Sequence, residues 1–277
     1  MNSRKFWFAM MIAFITAGLI SCEKDSTNDN NPGNDPRPTP QGKALVKFNL
    51  TDAPASYDSV IIDVQEIRVH VGDENDPNDS TAGWYTLDSI MTGKYDLLQL
   101  QNGVDTLLAQ DSIPSGKLGQ IRLSLGSDNY VVVNGMQEFL QTPSAQQSGL
   151  KLNVNYNLMP NLVYEFWLDF DASKSIVQKG NGGYLLKPVI KVFTKTNTGS
   201  IEGFIDPANA SVAISAYNAT DTSGAIADTT SGYFLISGLK PDTYTLEVEA
   251  AAGFSDTTVT NVSVSQGVVT DLDTLAL

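Results

Sequence analysis

From Ala44 onward the apolar residues of this chain fall at every second position. Val46, Phe48 and Leu50 alternate with Lys47 and Asn49; Val60, Ile62 and Val64 alternate, and so do Ile67, Val69 and Val71. Period two sends successive side chains to opposite faces of a strand, so each run offers one apolar face to a core. The phase changes at Gln65-Glu66, where two residues in a row must face away from the core; this predicts a β-bulge. Ile121, Leu123 and Leu125 continue the pattern, and residues 131–133 are a short β-branched run. Leu162, Tyr164, Phe166, Leu168 and Phe170 alternate with Val163, Glu165, Trp167 and Asp169. Residues 185–193 are another strand candidate, in which Pro188 predicts an edge or a bulge. Only Leu100, Val104, Leu107 and Leu108 have helical spacing, which predicts one short helix. The chain is expected to be all-β.

Cys22 is the only cysteine, so no disulfide staples the fold and each domain must stand on its own apolar core. The 277 residues permit one or two domains. The formal net charge of −14 argues against nucleic acid, whose phosphates need a Lys/Arg footprint, and against binding anionic lipid by charge. A Ser-His-Asp or Cys-His enzyme would have to use His70, the lone histidine. His70 lies on an alternating strand and shares the polar face with Arg68, which reads as a solvated strand histidine. No G-x-S-x-G, H-E-x-x-H, Walker or dinucleotide motif is present.

The N-terminus has an address. Arg4 and Lys5 precede an apolar run over residues 6–20, and Leu19-Ile20-Ser21-Cys22 follows. A positive start, a short apolar core and small residues before a cut make a secretory signal. The run is too short for a comfortable bilayer span, which takes about 20 residues. The cysteine at the cut resembles the lipobox of bacterial lipoproteins. That resemblance implies a signal peptide over 1–21, a diacylated thiol at Cys22 and an acylated new N-terminus, with palmitate-type chains as a membrane anchor. Residues 22–41 hold no aliphatic or aromatic side chain and read as a disordered tether, about 60 Å when extended. Glu23-Lys24-Asp25 resembles the export signal that sends some Bacteroidetes-type lipoproteins to the outer face of the outer membrane.

Two blocks follow the tether. Residues 42–197 hold the runs above. Residues 198–277 hold shorter strand candidates, among them Tyr244, Leu246, Val248 and Ala250 on one face and Thr245, Glu247 and Glu249 on the other. Each is expected to be a β-sandwich. In the second block, Gly199-Ser200-Ile201-Glu202-Gly203, Asp228-Thr229-Thr230-Ser231-Gly232-Tyr233-Phe234 and Gly238-Leu239-Lys240-Pro241-Asp242-Thr243-Tyr244-Thr245-Leu246 resemble the carboxypeptidase regulatory-like, transthyretin-like family. Asp242 stands where that family usually has glycine. The resemblance implies a spacer or interaction module without catalytic residues. In the first block, Leu50-Thr51-Asp52-Ala53-Pro54, Tyr95-Asp96-Leu97-Leu98-Gln99-Leu100, Ile113-Pro114-Ser115-Gly116, Ser148-Gly149-Leu150-Lys151-Leu152 and Leu168-Asp169-Phe170-Asp171-Ala172-Ser173-Lys174-Ser175 resemble the domain-of-unknown-function 4382 family. This implies a surface-anchored β-sandwich lipoprotein and no settled activity.

Asp169 and Asp171, at i and i+2, share one strand face with Glu165, and Asp52 would join them if the first strand ends nearby. Such carboxylates suit Ca²⁺ through oxygen ligands, or glycoside hydrolysis if they flank a pocket. The alternative is structural, with Asp169 capping a turn and Asp171 paired with Lys174. Trp84-Tyr85, Trp167 and Tyr184 form a candidate aromatic platform for sugars; alternatively Trp167 is core. Asp followed by Ser or Thr recurs, and resembles the O-glycosylation acceptor of exported Bacteroidetes-type proteins; Ser26 and Ser80 are the candidate acceptors, while the same dipeptide also opens turns. The chain is thus expected to be a cell-surface outer-membrane lipoprotein with a non-catalytic ligand-binding or adhesion role, its partner a glycan or protein. A fimbrial or envelope component and a carboxylate-dependent hydrolase are the alternatives.

Overall fold

Alternation this regular builds strands, and nearly all the regular secondary structure is β in the computed structural model, which describes residues 42–53, 55–72, 83–142, 149–180 and 182–277. The lipobox, Cys22, the tether, Ser26 and Ser80 lie outside the described residues. The first sandwich holds β1 (Lys43–Ala53), β2 (Ser59–Val71), β3 (Trp84–Thr86), β4 (Gly93–Asp96), β5 (Thr106–Pro114), β6 (Gly116–Leu125) and β7 (Tyr130–Val133). It continues with β8 (Met136–Gln141), β9 (Leu150–Leu158), β10 (Val163–Asp171), the single helical turn α1 (Ala172–Ser175), β11 (Ile176–Gln178), β12 (Tyr184–Leu186) and β13 (Ile190–Phe193). The second holds β14 (Gly199–Asp206), β15 (Ser211–Tyr217), β16 (Thr222–Ala225), β17 (Tyr233–Leu239), β18 (Asp242–Ala250), β19 (Thr257–Val264) and β20 (Val269–Ala276).

The smaller sheet of the first sandwich runs β13-β10-β1-β5, with β1 and β10 parallel. The larger runs β11-β12-β8-β7-β2-β6-β9, with β3 and β4 also on β2. Between them lie the alternating residues read from the sequence: Val46, Phe48, Leu50, Ile62, Ile67, Ile121, Phe166 and Phe170 are buried in one cluster. Phe48 stacks on Phe166 at 5.3 Å, and Tyr156 meets Phe166 edge-on at 4.9 Å. Each such side chain stabilises the fold by about 1.5–3 kcal/mol. In the second sandwich, sheets β17-β14-β20 and β16-β15-β18-β19 enclose a separate cluster that includes Ile201, Phe234, Tyr244 and Leu246. Both clusters belong to one compact unit.

The bulge expected at Gln65-Glu66 is present: the β2–β6 register shifts between Val64 and Glu66. The short helix expected around Leu100–Leu108 is not. A 3-10 turn covers Leu97–Gln99, and Asn102 and Gly103 then take φ of 53° and 84°, which ends any helix. Leu107 and Leu108 lie on β5 instead. The candidate strand over residues 185–193 is two strands. The chain changes sheet across Lys187-Pro188-Val189, leaving β12 in the larger sheet and β13 in the smaller; proline, without an N–H, suits that crossing.

The outer face of the smaller sheet points away from its own core, yet Asn49, Thr51, Trp167 and Asp169 on it are buried. The second sandwich lies over Thr51, Trp167 and Asp169, which border small cavities lined from its side by Leu235 and Ser237. Gly238 (φ +71°) sits so near Phe193 that an added Cβ would lie 2.7 Å from its ring. Gly238→Ala is therefore expected to destabilise the protein well beyond Gly135→Ala. Gly135 has a similar φ of +75° in the open Asn134-Gly135 hairpin turn, with nothing near its missing Cβ. The φ penalty alone is about 1 kcal/mol, and overpacking against Phe193 adds about 1–3 kcal/mol. Denaturant unfolding of both variants measures the difference; equal losses would mean that the second sandwich does not press on Phe193.

Candidate functional site

The parallel β1–β10 register brings the acidic residues to one end of the smaller sheet. Thr51 lies opposite Asp169, Asp52 opposite Phe170 and Ala53 opposite Asp171. Asp171 ends β10 and caps α1: its carboxylate accepts from the Lys174 N–H at 3.0 Å and the Ser173 hydroxyl at 2.7 Å, and pairs with Lys174 Nζ at 2.6 Å. Glu165 is exposed at the other end of the strand and pairs with Lys47 at 3.1 Å. Asp52 is buried; Oδ1 accepts from the Ala172 N–H at 3.1 Å, while Oδ2 has no hydrogen-bond partner among the described residues. Burial pushes the Asp52 carboxyl well above the usual range, against the pull of the Ala172 N–H, and the Asp169 charge adds to the rise. The four carboxylates do not converge. Among the described residues no three His, Cys, Asp or Glu side chains are grouped to hold a metal ion.

Asp169 instead faces the second sandwich. With Asp52, Thr51 and Asn102 it borders a cavity of about 20 Å³, closed from the other side by Ser223, Leu235 and Ser237; this is room for one water and no sugar. Burial raises the Asp169 pKa to about 6; Lys191 opposes the rise and Asp171 adds to it. Around this cavity the sandwiches are joined by polar contacts. Asn102 Nδ2 donates to the Ile226 carbonyl at 3.0 Å, and the Leu235 N–H donates to Asn102 Oδ1 at 3.3 Å. Lys191 Nζ donates to both oxygens of Asp221 at 3.1 and 3.2 Å. The Tyr244 hydroxyl, which donates to the Lys240 carbonyl at 3.0 Å, lies 3.4 Å from the same carboxylate. Asn102, Lys191 and Asp221 were not singled out in the sequence. The legible signal was Asn102-Gly103 itself, a turn-type dipeptide inside a segment read as helical.

The aromatic candidates separate. Trp167 keeps its outward position, with Phe166 and Leu168 pointing into the core. It is neither an exposed platform nor part of that core: it stacks on Phe193 at 6.0 Å beneath the second sandwich. Its indole N–H donates to Asp105 at 2.7 Å, and Lys195 lies 4.3 Å from the ring centre. Tyr85 and Tyr184 pack against the first core. Trp84 is half-exposed on the outer side of the larger sheet, in ring contact with His70 at 5.1 Å.

A buried carboxyl whose pKa is raised binds its proton more tightly in the folded state than in the unfolded chain. Its favourable contribution is full below about pH 4 and is lost as pH rises through about 6. Asp169→Asn is therefore expected to raise stability at pH 8 by about 2–3 kcal/mol. The gain should vanish at pH 4, and Lys191 keeps Asp221 as its partner throughout. Thermal unfolding at the two pH values checks this; a loss of stability at pH 8 would mean that the ionised carboxylate is needed there.

A search of the curated proteins finds no match. Among solved structures, the chain is similar at 10% identity to the Bacillus anthracis TIE protein, with a TM-score of 0.21 over 85% of this chain and 34% of that one. The chain thus spans about a third of that protein's length. At 12% identity it is similar to GBS52, the minor pilin of Streptococcus agalactiae, with a TM-score of 0.21 over 83% of this chain and 94% of the pilin. Residues 43–188, more than half of the sequence, match the family described as Domain of unknown function (DUF4382), and the chain belongs to that family.

Proposed function

We propose that this chain is a lipid-anchored, non-catalytic surface protein that binds or adheres to an external ligand through its first sandwich, with the second as a brace. The observation that carries the reading is the covered carboxylate face. Asp169 and Asp52, the residues best suited to acid-base chemistry, border a cavity of about 20 Å³ under the second sandwich. A glycosidase of this type needs room for a sugar between its carboxyls. The lipobox ending at Cys22 and the polar tether support an outer-membrane anchor with the folded part held at a distance. The motif blocks around Gly232 and Gly238 support a carboxypeptidase regulatory-like second domain; both glycines have positive φ and sit against Ile205 and Phe193 respectively.

A fimbrial or envelope role is the second reading, favoured by one observation. Among the described residues β20 pairs only with β14, which leaves its other edge available for exchange with another copy. A glycan and protein array probed with residues 42–277, with and without Ca²⁺, separates the two. The ligand-binding reading expects a discrete set of bound ligands from a monomeric protein. Ligand-free arrays together with concentration-dependent polymers would favour the fimbrial role. Intact mass of the protein from its native cells is expected to carry acyl chains lost in Cys22→Ala and sugar lost in Ser26→Ala or Ser80→Ala; an unmodified mass would remove both the anchor and the glycosylation.

A further inference from the structure

The outer face of the larger sheet lies on the far side of the first sandwich from the seam. It carries the only two arginines among residues 42–277, Arg68 and Arg122. The β2–β6 register sets them directly opposite one another, and the β6–β9 register sets Lys151 opposite Arg122. Three cations stand in one transverse row, at about 5 Å per strand, in a chain of net charge −14. Like charges opposite one another in a sheet repel. Among the described residues the ion pairs are made by other side chains, and none joins these three to a carboxylate, Glu66 on the same face included. The Nε of Arg68 is buried without a hydrogen-bond partner among the described residues.

The neighbouring row holds this cation pair in place. Trp84 lies 4.1 Å from the Arg122 guanidinium carbon and 5.3 Å from that of Arg68, measured from its ring centre. Arg122 Nε donates to Gln120 Oε1 at 3.1 Å, and Gln120 Nε2 donates to Asn153 Oδ1 at 2.9 Å. Fixed guanidiniums match a planar carboxylate, and fixing them beforehand reduces the ordering cost of binding. The half-exposed indole suits the C–H face of a sugar ring, and the side-chain amides suit its hydroxyls. The acidic remainder of the protein repels densely charged polymers, which selects a ligand with sparse charge.

We propose that Arg68, Arg122 and Lys151, with Trp84, Gln120 and Asn153, form a binding site for a carboxylate-bearing sugar within an otherwise neutral glycan. The proposal rests on the ligand-binding reading above and names its site and ligand class.

Calorimetric titration of the full chain tests it with sialyllactose, a glucuronate-terminated oligosaccharide, lactose and a glutamate-containing peptide. Binding of either acidic sugar, weakening with salt, and of neither control is expected; the two sugar arms distinguish sialic from uronic acid. Arg68→Gln and Arg122→Gln should each weaken binding about tenfold. Arg122→Lys should also weaken it, since charge without the planar fork is not equivalent. Trp84→Ala should weaken it too, and Lys94→Gln, remote from the site, should not. Unfolding midpoints show which variants remain folded; if Arg68→Gln does not fold, Arg122→Lys and Trp84→Ala decide. Absence of binding by both acidic sugars, equal binding of lactose or the peptide, or unchanged affinity in the folded variants would overturn the site. If ligands found on the array bind Arg122→Gln and wild type alike, this site is overturned and the ligand-binding reading stands.

Discussion

The arrangement of this protein depends on the burial of one sheet face. The outer side of β13-β10-β1-β5 carries Asn49, Thr51, Trp167 and Asp169, a polar and aromatic set that alternation alone would send to solvent. The second sandwich takes Thr51, Trp167 and Asp169 out of water. The contact holds because its polar groups find partners: Asn102 bridges to both Ile226 and Leu235, Lys191 to Asp221, and Trp167 to Asp105. A buried polar group without a partner destabilises by about 1–3 kcal/mol, so a seam of this composition stands or falls on these bonds.

The same burial changes the chemistry of the carboxylates. On an open strand, Asp169 and Asp171 would be an acidic pair free to bind a cation or substrate. Here Asp171 is spent on capping α1 and pairing with Lys174, Glu165 on pairing with Lys47, and Asp169 is enclosed with its pKa raised by desolvation. With the smaller sheet covered, the larger sheet's outer face is the broad surface that the first sandwich still offers to solvent. Its cross-strand arginines and Trp84 lie there.

Strand existence and the core were legible in the sequence because both follow from local period. Val46, Phe48, Leu50, Phe166 and Phe170 are core as their spacing required, and the phase break at Gln65-Glu66 placed a bulge without any tertiary information. The hairpin strand β8 was not read, although Asn134-Gly135 marks its turn. The strand change at Pro188 was read as an edge or a bulge because one apolar run can serve two sheets when a proline interrupts it. The environment of Asp169 and Trp167 was not legible at all. Alternation says which face a side chain is on, and says nothing of what covers that face. Covering comes from a separate sandwich that begins only at Gly199, through contacts such as Asn102 with Leu235 that leave no periodic trace. Arg68 and Arg122, 54 positions apart, likewise become neighbours only through register.

The most direct test of the seam is amide hydrogen exchange at Leu235. β17 is an edge strand, and the Leu235 N–H points off that edge to Asn102 Oδ1 rather than into its own sheet. Without the first sandwich in place this amide would face water and exchange like a loop. The account predicts that, in the intact protein, it is protected as strongly as the amides β17 shares with β14. Exchange at the rate of an exposed loop, with the rest of β17 protected, would contradict it.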